Sequence, residues 1–167
     1  DITIGIAEAL DIKLRENFIH PFMSKSTKEY WNRWHITMGS WFTDYVYYPL
    51  SVSRPLTALT KKFKAVFGGD IGKRVPVYLA TIITWFLTGL WHGAGWNFIV
   101  WGLLNALIIL VSREFEPLYK KFHARFPDLA ENRFYSFFMM ARTFLLMGLI
   151  RSLNVYRDVG LTFRLWG

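Results

Sequence analysis

No cysteine occurs among the 167 residues, which excludes disulfides, thiolate metal sites and a cysteine acyl intermediate. Acidic residues are scarce too: 12 Asp and Glu stand against 20 Lys and Arg, a formal net charge of +8. No two carboxylates are placed for metal binding or glycosidase chemistry, so no metal is expected. No Gly-x-Ser-x-Gly elbow, phosphate loop or dinucleotide fingerprint occurs either. Charge itself is missing from one long stretch. Between Arg74 and Arg113 lie 38 residues, Val75 to Ser112, without a Lys, Arg, Asp or Glu.

What fills the chain instead is apolar and aromatic. Hydrophobic residues make up 53% and aromatic ones 19%, with 8 Trp, 8 Tyr and 15 Phe, enough apolar surface to exclude disorder. The length suits one domain or a piece of a larger one. About 20 apolar residues cross the ~30 Å hydrocarbon core of a bilayer. The uncharged run is therefore long enough for two helices, with breaks expected at Gly89 and at Gly93-Ala94-Gly95. A shorter run, Phe134 to Ile150, carries only Arg142 and makes a third helix. The predicted fold is all-α, an integral membrane multi-helix bundle whose partner is the lipid bilayer.

The basic residues gather in two segments flanking the uncharged run. Ser53 to Arg74 holds Arg54, Lys61, Lys62, Lys64, Lys73 and Arg74 against Asp70 alone, and Arg113 to Arg133 holds five Lys or Arg. Both read as loops, and loops rich in Lys and Arg stay cytoplasmic. Val75–Ser112 is then a hairpin that enters and returns on one side, with His92 near its turn. Topology accounts for the positive charge, and no nucleic-acid partner is expected.

Before the hairpin, residues 1–10 read as the end of a helix and Asp11 to Phe22 as a connection closed by Pro21. Ser26 and Glu29 form a capping box that starts a helix running through Met38, with a favourable Glu29–Arg33 pair. Tyr30 to Leu50 carries eight aromatics and only Arg33 and Asp44 as charges, a composition suited to the headgroup boundary. An interfacial aromatic helix over Lys28–Met38 is expected, with Pro49 ending the stretch.

Four histidines could carry chemistry. His20 and His123 read as solvated loop residues. His92 lies inside the uncharged run, where an ionisable group is costly and functional by default; the bland alternative is a neutral histidine bonded across helices. His35 follows Asn32 by three residues, which on a continuous helix shares one face; the bland alternative is an interfacial polar face among anchoring tryptophans. Two membrane histidines suit proton transfer from a hydroxyl, since imidazole titrates near neutral pH.

Two stretches carry a family likeness. One is Glu16-Asn17-Phe18, Pro21-Phe22, Ser24, Ser26, then Glu29 to Thr37 (EYWNRWHIT), continuing through Trp41-Phe42, Asp44-Tyr45 and Tyr48-Pro49-Leu50. The other is Gly89-Leu90-Trp91-His92-Gly93-Ala94 with Trp96 and Trp101-Gly102. In these the sequence resembles the membrane-bound O-acyltransferase family, in particular the bacterial branch of alginate O-acetylation and teichoic-acid D-alanyl transfer proteins. The likeness covers about residues 1–112, with a weaker echo at Ile150-Arg151-Ser152-Leu153.

The resemblance implies acyl transfer, with acetyl the expected group, to a hydroxyl of an exported polysaccharide or other envelope acceptor. It implies that His92 matches the family's catalytic histidine. His35 matches a second polar position, which is asparagine in many eukaryotic relatives. Asn32 would orient substrate, and Trp91 and Trp96 would wall the site against water. The donor would be acetyl-coenzyme A or an acyl-carrier thioester arriving from the cytoplasm as co-substrate, with no tightly bound cofactor. Downstream acetylation proteins would be partners, and the bacterial cytoplasmic membrane the location, crossed several times. Residues 1–167 would be part of a single membrane acyltransferase domain, lacking the family's N-terminal helices and its last ones; the chain opens without Met or a basic leader. The competing reading is a non-catalytic transporter subunit or assembly scaffold. A transporter is expected to show broken helices in both halves of an inverted repeat, whereas one such break is visible here.

Overall fold

The uncharged run folds as two long helices, α6 (Gly69–His92) and α7 (Trp96–Arg125), joined at Gly93-Ala94-Gly95. The computed structural model describes residues 2–167; Asp1 lies outside the described residues. Gly89 does not break the chain. It sits within α6 because its missing side chain is needed for packing: a Cβ there would lie 2.5 Å from the Phe98 carbonyl oxygen. Gly102 does the same from α7, where a Cβ would run into the Trp85 carbonyl oxygen. Small residues at facing positions let two membrane helices approach backbone to backbone.

At the far end of the hairpin Arg74 pairs with Glu114, and the Tyr78 hydroxyl donates to the same carboxylate. The two arms therefore begin and end at one level, as the hairpin reading requires. Both flanking "loops", however, are largely helical. The second is a continuation of α7 to Arg125, so the helix is 30 residues long, about 45 Å at ~1.5 Å per residue. The first is α5 (Arg54–Phe67). Its Leu56, Leu59 and Phe63 recur at helical spacing and are half-buried, while Lys61, Lys62 and Lys64 are exposed. Charge composition masked that period. The close approach of α5 to α6 is set by Gly72, where a Cβ would lie 2.8 Å from the Lys64 Cα.

The third apolar run extends at both ends into α8 (Arg133–Tyr156), capped by Asn132, whose side chain accepts from the amides of Phe134 and Tyr135 at 2.9 and 3.1 Å. A short α9 (Val159–Trp166) follows, capped by Asp158. Three helices, Gly72–His92, Trp96–Arg125 and Arg133–Tyr156, are long and apolar enough to cross a membrane. Among the described residues there is no strand, only an isolated bridge between Phe18 and Trp34. The fold is all-α. Tyr30, Trp101, Met147, Ile150 and Leu153 form its core.

Near the N-terminus, α1 (Ile2–Ala9) leads through a coil and a 3-10 turn at Pro21–Met23. The expected helix over Lys28–Met38 is two helices, α2 (Thr27–Arg33) and α3 (Ile36–Phe42). The Ser26 hydroxyl accepts from the Glu29 amide at 3.1 Å, as a capping box requires. The Glu29 carboxylate departs from the pattern: it takes the Lys25 amide at 2.8 Å and pairs with Arg33 at 2.7 Å. Pro49 does not end the aromatic stretch. A π-helical turn, Thr43–Tyr47, runs into α4 (Tyr48–Ser51), which carries Pro49 within the continuing helical chain.

Candidate active site

The break between α2 and α3 comes from the preceding segment. The Ile19 amide donates to the Arg33 carbonyl at 3.0 Å, and the Ile36 amide to the Asn17 carbonyl at 3.1 Å. The Asn17 side chain accepts from both the Thr37 amide, at 3.0 Å, and the Thr37 hydroxyl, at 2.6 Å. These bonds take backbone groups that a continuous helix would use. Trp34 becomes extended and His35 left-handed, with φ 52°, a conformation uncommon for a residue with a side chain. Asn32 and His35 therefore do not share a helical face, contrary to expectation.

The corner faces the last turns of α6 across a cavity of about 490 Å³. His35 and Asn32 line it from one side, and Trp91 and His92 from the other. The His35 ring meets the Trp91 indole with centroids 6.0 Å apart, and Trp91 meets His92 at 4.8 Å. His92 also lies edge-on to Trp101, at 4.9 Å, and stacks on Phe98 at 6.2 Å. The His35 Nδ1 is buried and makes no hydrogen bond.

Trp96 does not wall this cavity. It starts α7 beyond the Gly93–Gly95 turn, is 74% exposed, and lines a separate, open hollow with Arg157 and Val159. The turn reverses the chain between the two tryptophans, so closeness in sequence to His92 is not closeness to the cavity.

The walls include residues that the sequence reading passed over. Trp85 and Thr88 stand seven and four residues before His92 and line the cavity with Thr84; helical spacing back from His92 was the signal that could have found them. The Thr84 and Thr88 hydroxyls donate to the Ala80 and Thr84 carbonyls at 2.7 and 2.8 Å, which leaves their oxygens able only to accept. Trp31 and Trp101 close the inner end, their rings 6.0 Å apart. Asp44, on the π-helical turn, is the one carboxylate among the lining residues. Such turns recur at functional sites.

The family model described as MBOAT, membrane-bound O-acyltransferase family, matches residues 67–150. The chain is 35% identical over 129 residues to a peptidoglycan O-acetyltransferase of Helicobacter pylori, covering 77% of this chain and 21% of that protein. It is 34% identical over 113 residues to the "Probable alginate O-acetylase AlgI" of Azotobacter vinelandii, covering 68% and 19%. Against a teichoic acid D-alanyltransferase of Bacillus subtilis it is 34% identical over 120 residues, covering 71% and 28%. The aligned part thus spans between 19% and 28% of these relatives' lengths. The family match takes in both arms of the hairpin and most of α8, and the chain belongs to the membrane-bound O-acyltransferase family.

Proposed function

We propose that this chain carries the reaction centre of an O-acyltransferase that moves an acyl group from an activated thioester to a hydroxyl of an exported envelope polymer. The observation that carries the reading is the meeting of His35, from the α2–α3 corner, and His92, from the end of α6, on one aromatic-walled cavity. The names of the relatives, two acetylating and one D-alanylating, support acyl transfer and make acetyl the first acyl group to test.

A hydroxyl ionises far above neutral pH, so its attack on a carbonyl needs a base that takes the proton as the bond forms. His92 is assigned that role. The acceptor oxygen attacks the thioester carbon while its proton passes to the imidazole. The C–S bond then breaks, and the imidazolium returns the proton to the leaving thiolate. The acyl group moves directly, without an acyl-enzyme. Ser24 is 1% exposed and outside the cavity, and the cavity's Ser40 hydroxyl donates to the Ile36 carbonyl at 3.1 Å.

His35 serves as a donor. A buried N–H without an acceptor is a rarer and costlier state than a buried lone pair without a donor. The unpartnered Nδ1 therefore favours the tautomer that carries its hydrogen on Nε2. That N–H can polarise the acyl carbonyl and hold the oxyanion that forms on it. Asn32 supplies a second polar group for orienting the acceptor, and Trp91 and Trp101 exclude water. The thioester, acetyl-coenzyme A or an acyl-carrier conjugate, is a co-substrate from the cytoplasmic side, not a resident cofactor. The location is the bacterial cytoplasmic membrane, and downstream acetylation proteins receive or use the product.

The test is acceptor acylation by the full-length protein with His92→Ala and His35→Ala separately, membrane insertion being verified for each. Loss in both supports the reading. Wild-type acylation in both would leave a non-catalytic transporter subunit or scaffold.

A further inference from the structure

Arg151 stands on α8 inside the apolar span Arg133–Tyr156. The ion pairs among the described residues are Arg33–Glu29, Arg74–Glu114 and Lys120–Glu116, so this guanidinium has no carboxylate partner there. An ionisable side chain within a membrane helix is a functional candidate by default, and Arg151, exposed and in the last two turns of α8, lies against the α2–α3 corner. Its neighbours are aromatic. It lies 4.9 Å over the Trp34 ring, and it is near enough to the Tyr30 hydroxyl for its charge to be felt there. The Tyr30 ring is itself stacked on Trp34, 5.7 Å away and 10° from parallel.

These contacts end on the residue before His35. Burial raises Tyr30 above the usual tyrosine range, with the Arg151 charge opposing, and the phenol stays neutral beside the guanidinium. Trp34 is fixed on one side by its bridge to Phe18 and on the other by Tyr30 and Arg151. The His35 Nδ1, by contrast, has no hydrogen-bond partner, so no bond there anchors the ring. The ring's aim depends on the corner that carries it. Arg151 does not line the cavity but Trp34 does, so the packing contact between them reaches the site through Trp34.

We propose that Arg151 is a positioning residue: lying over Trp34 and near Tyr30, it holds the Trp34–His35 corner so that the His35 imidazole points into the cavity opposite His92. The inference rests on the reading of that cavity as an acyl-transfer site. A guanidinium suits this place better than an ammonium, since it can spread over an indole as well as attract its face.

The experiment uses the full-length protein in membranes. Arg151→Met is expected to lower turnover about 10- to 100-fold, the scale of a slight misplacement of a reacting group, with the donor KM little changed. Arg151→Lys should recover little of this. In a His35→Ala background, Arg151→Met should cost less than about twofold further, since groups acting through one another are not additive. Hydrogen exchange gives a readout independent of activity: the amides of residues 34–36 should exchange about tenfold faster in Arg151→Met, by local opening of the corner, while α6 and α7 keep their protection. Equal loss of turnover in both backgrounds, or unchanged exchange at the corner, overturns the proposal. Where residual turnover is too low to read, or where the protein transfers no acyl group at all, exchange decides alone. Should Arg151→Met fail to insert, Arg151→Gln removes the same guanidinium and charge and is judged by the same two readouts.

Discussion

The His35 imidazole meets the Trp91 indole edge to face, their centroids 6.0 Å apart. Trp91 is thereby the bridge between the α2–α3 corner and the end of α6, since it also holds His92 at 4.8 Å. Trp96, five residues further on, has no part in this cavity. Aromatic pairs contribute about 0.5–1.5 kcal/mol beyond burial, so Trp91→Ala should lower turnover roughly two- to twelve-fold. Trp96→Ala should leave it within about twofold, an effect below the lower end of that range. Steady-state acylation by the two variants, side by side, checks this; a larger loss at Trp96 would contradict the cavity's outline.

His35 is assigned as a donor, so the test is whether another donor can stand in. His35→Asn keeps an N–H on a shorter side chain, whereas His35→Leu removes it. Losing one oxyanion donor costs about 10²- to 10³-fold in kcat. His35→Leu should show that loss and His35→Asn a clearly smaller one. Equal loss in both would argue for a proton-carrying role instead.

Gly89 and Gly102 test the hairpin. A side chain at Gly102 meets the Trp85 carbonyl, and one at Gly89 meets that of Phe98; backbone cannot swing aside as a flexible side chain can. Overpacking typically costs about 1–3 kcal/mol, occasionally more, and Gly102→Leu should fall at or above the top of that range. Thermal unfolding in detergent should show a Tm lowered by several degrees relative to Gly39→Leu, where a Cβ meets nothing within 4 Å.

The Arg74–Glu114 pair sets both arms of the hairpin at one level. With no native cysteine in these residues, Lys62→Cys and Lys121→Cys can each be labelled from one face of the membrane. Both should react with an impermeant maleimide only from the cytoplasmic side. Labelling from opposite sides would break the hairpin topology.

The hairpin, its Gly93–Gly95 turn and the third apolar helix were legible in the sequence because each depends on one local property, the absence of charge over a bilayer's thickness. His92 stood out as an ionisable group in the uncharged run and His35 as a polar group among tryptophans, and both line one cavity. The α2–α3 corner was not legible. It is dictated by Asn17 and Ile19, which are remote in sequence from His35 and override a good helical pattern with four hydrogen bonds. Helix α5 was hidden for another reason: its lysines dominate the composition, and the Leu56–Leu59–Phe63 period shows only when the charges are set aside. Trp96 misled because proximity along the chain does not survive a reversal of direction at glycine.

The most direct measurement is single-turnover acyl transfer by full-length protein carrying His92→Gln, with thioester binding measured on the same preparation. Gln retains polarity and approximate size but cannot accept a proton at neutral pH. Loss of the base should slow transfer about 10²- to 10⁴-fold, with donor affinity kept and no acyl group trapped on Ser24 or Ser40 by mass spectrometry. Transfer at the wild-type rate, or a stable acyl-serine on this chain, would contradict direct transfer with His92 as the base.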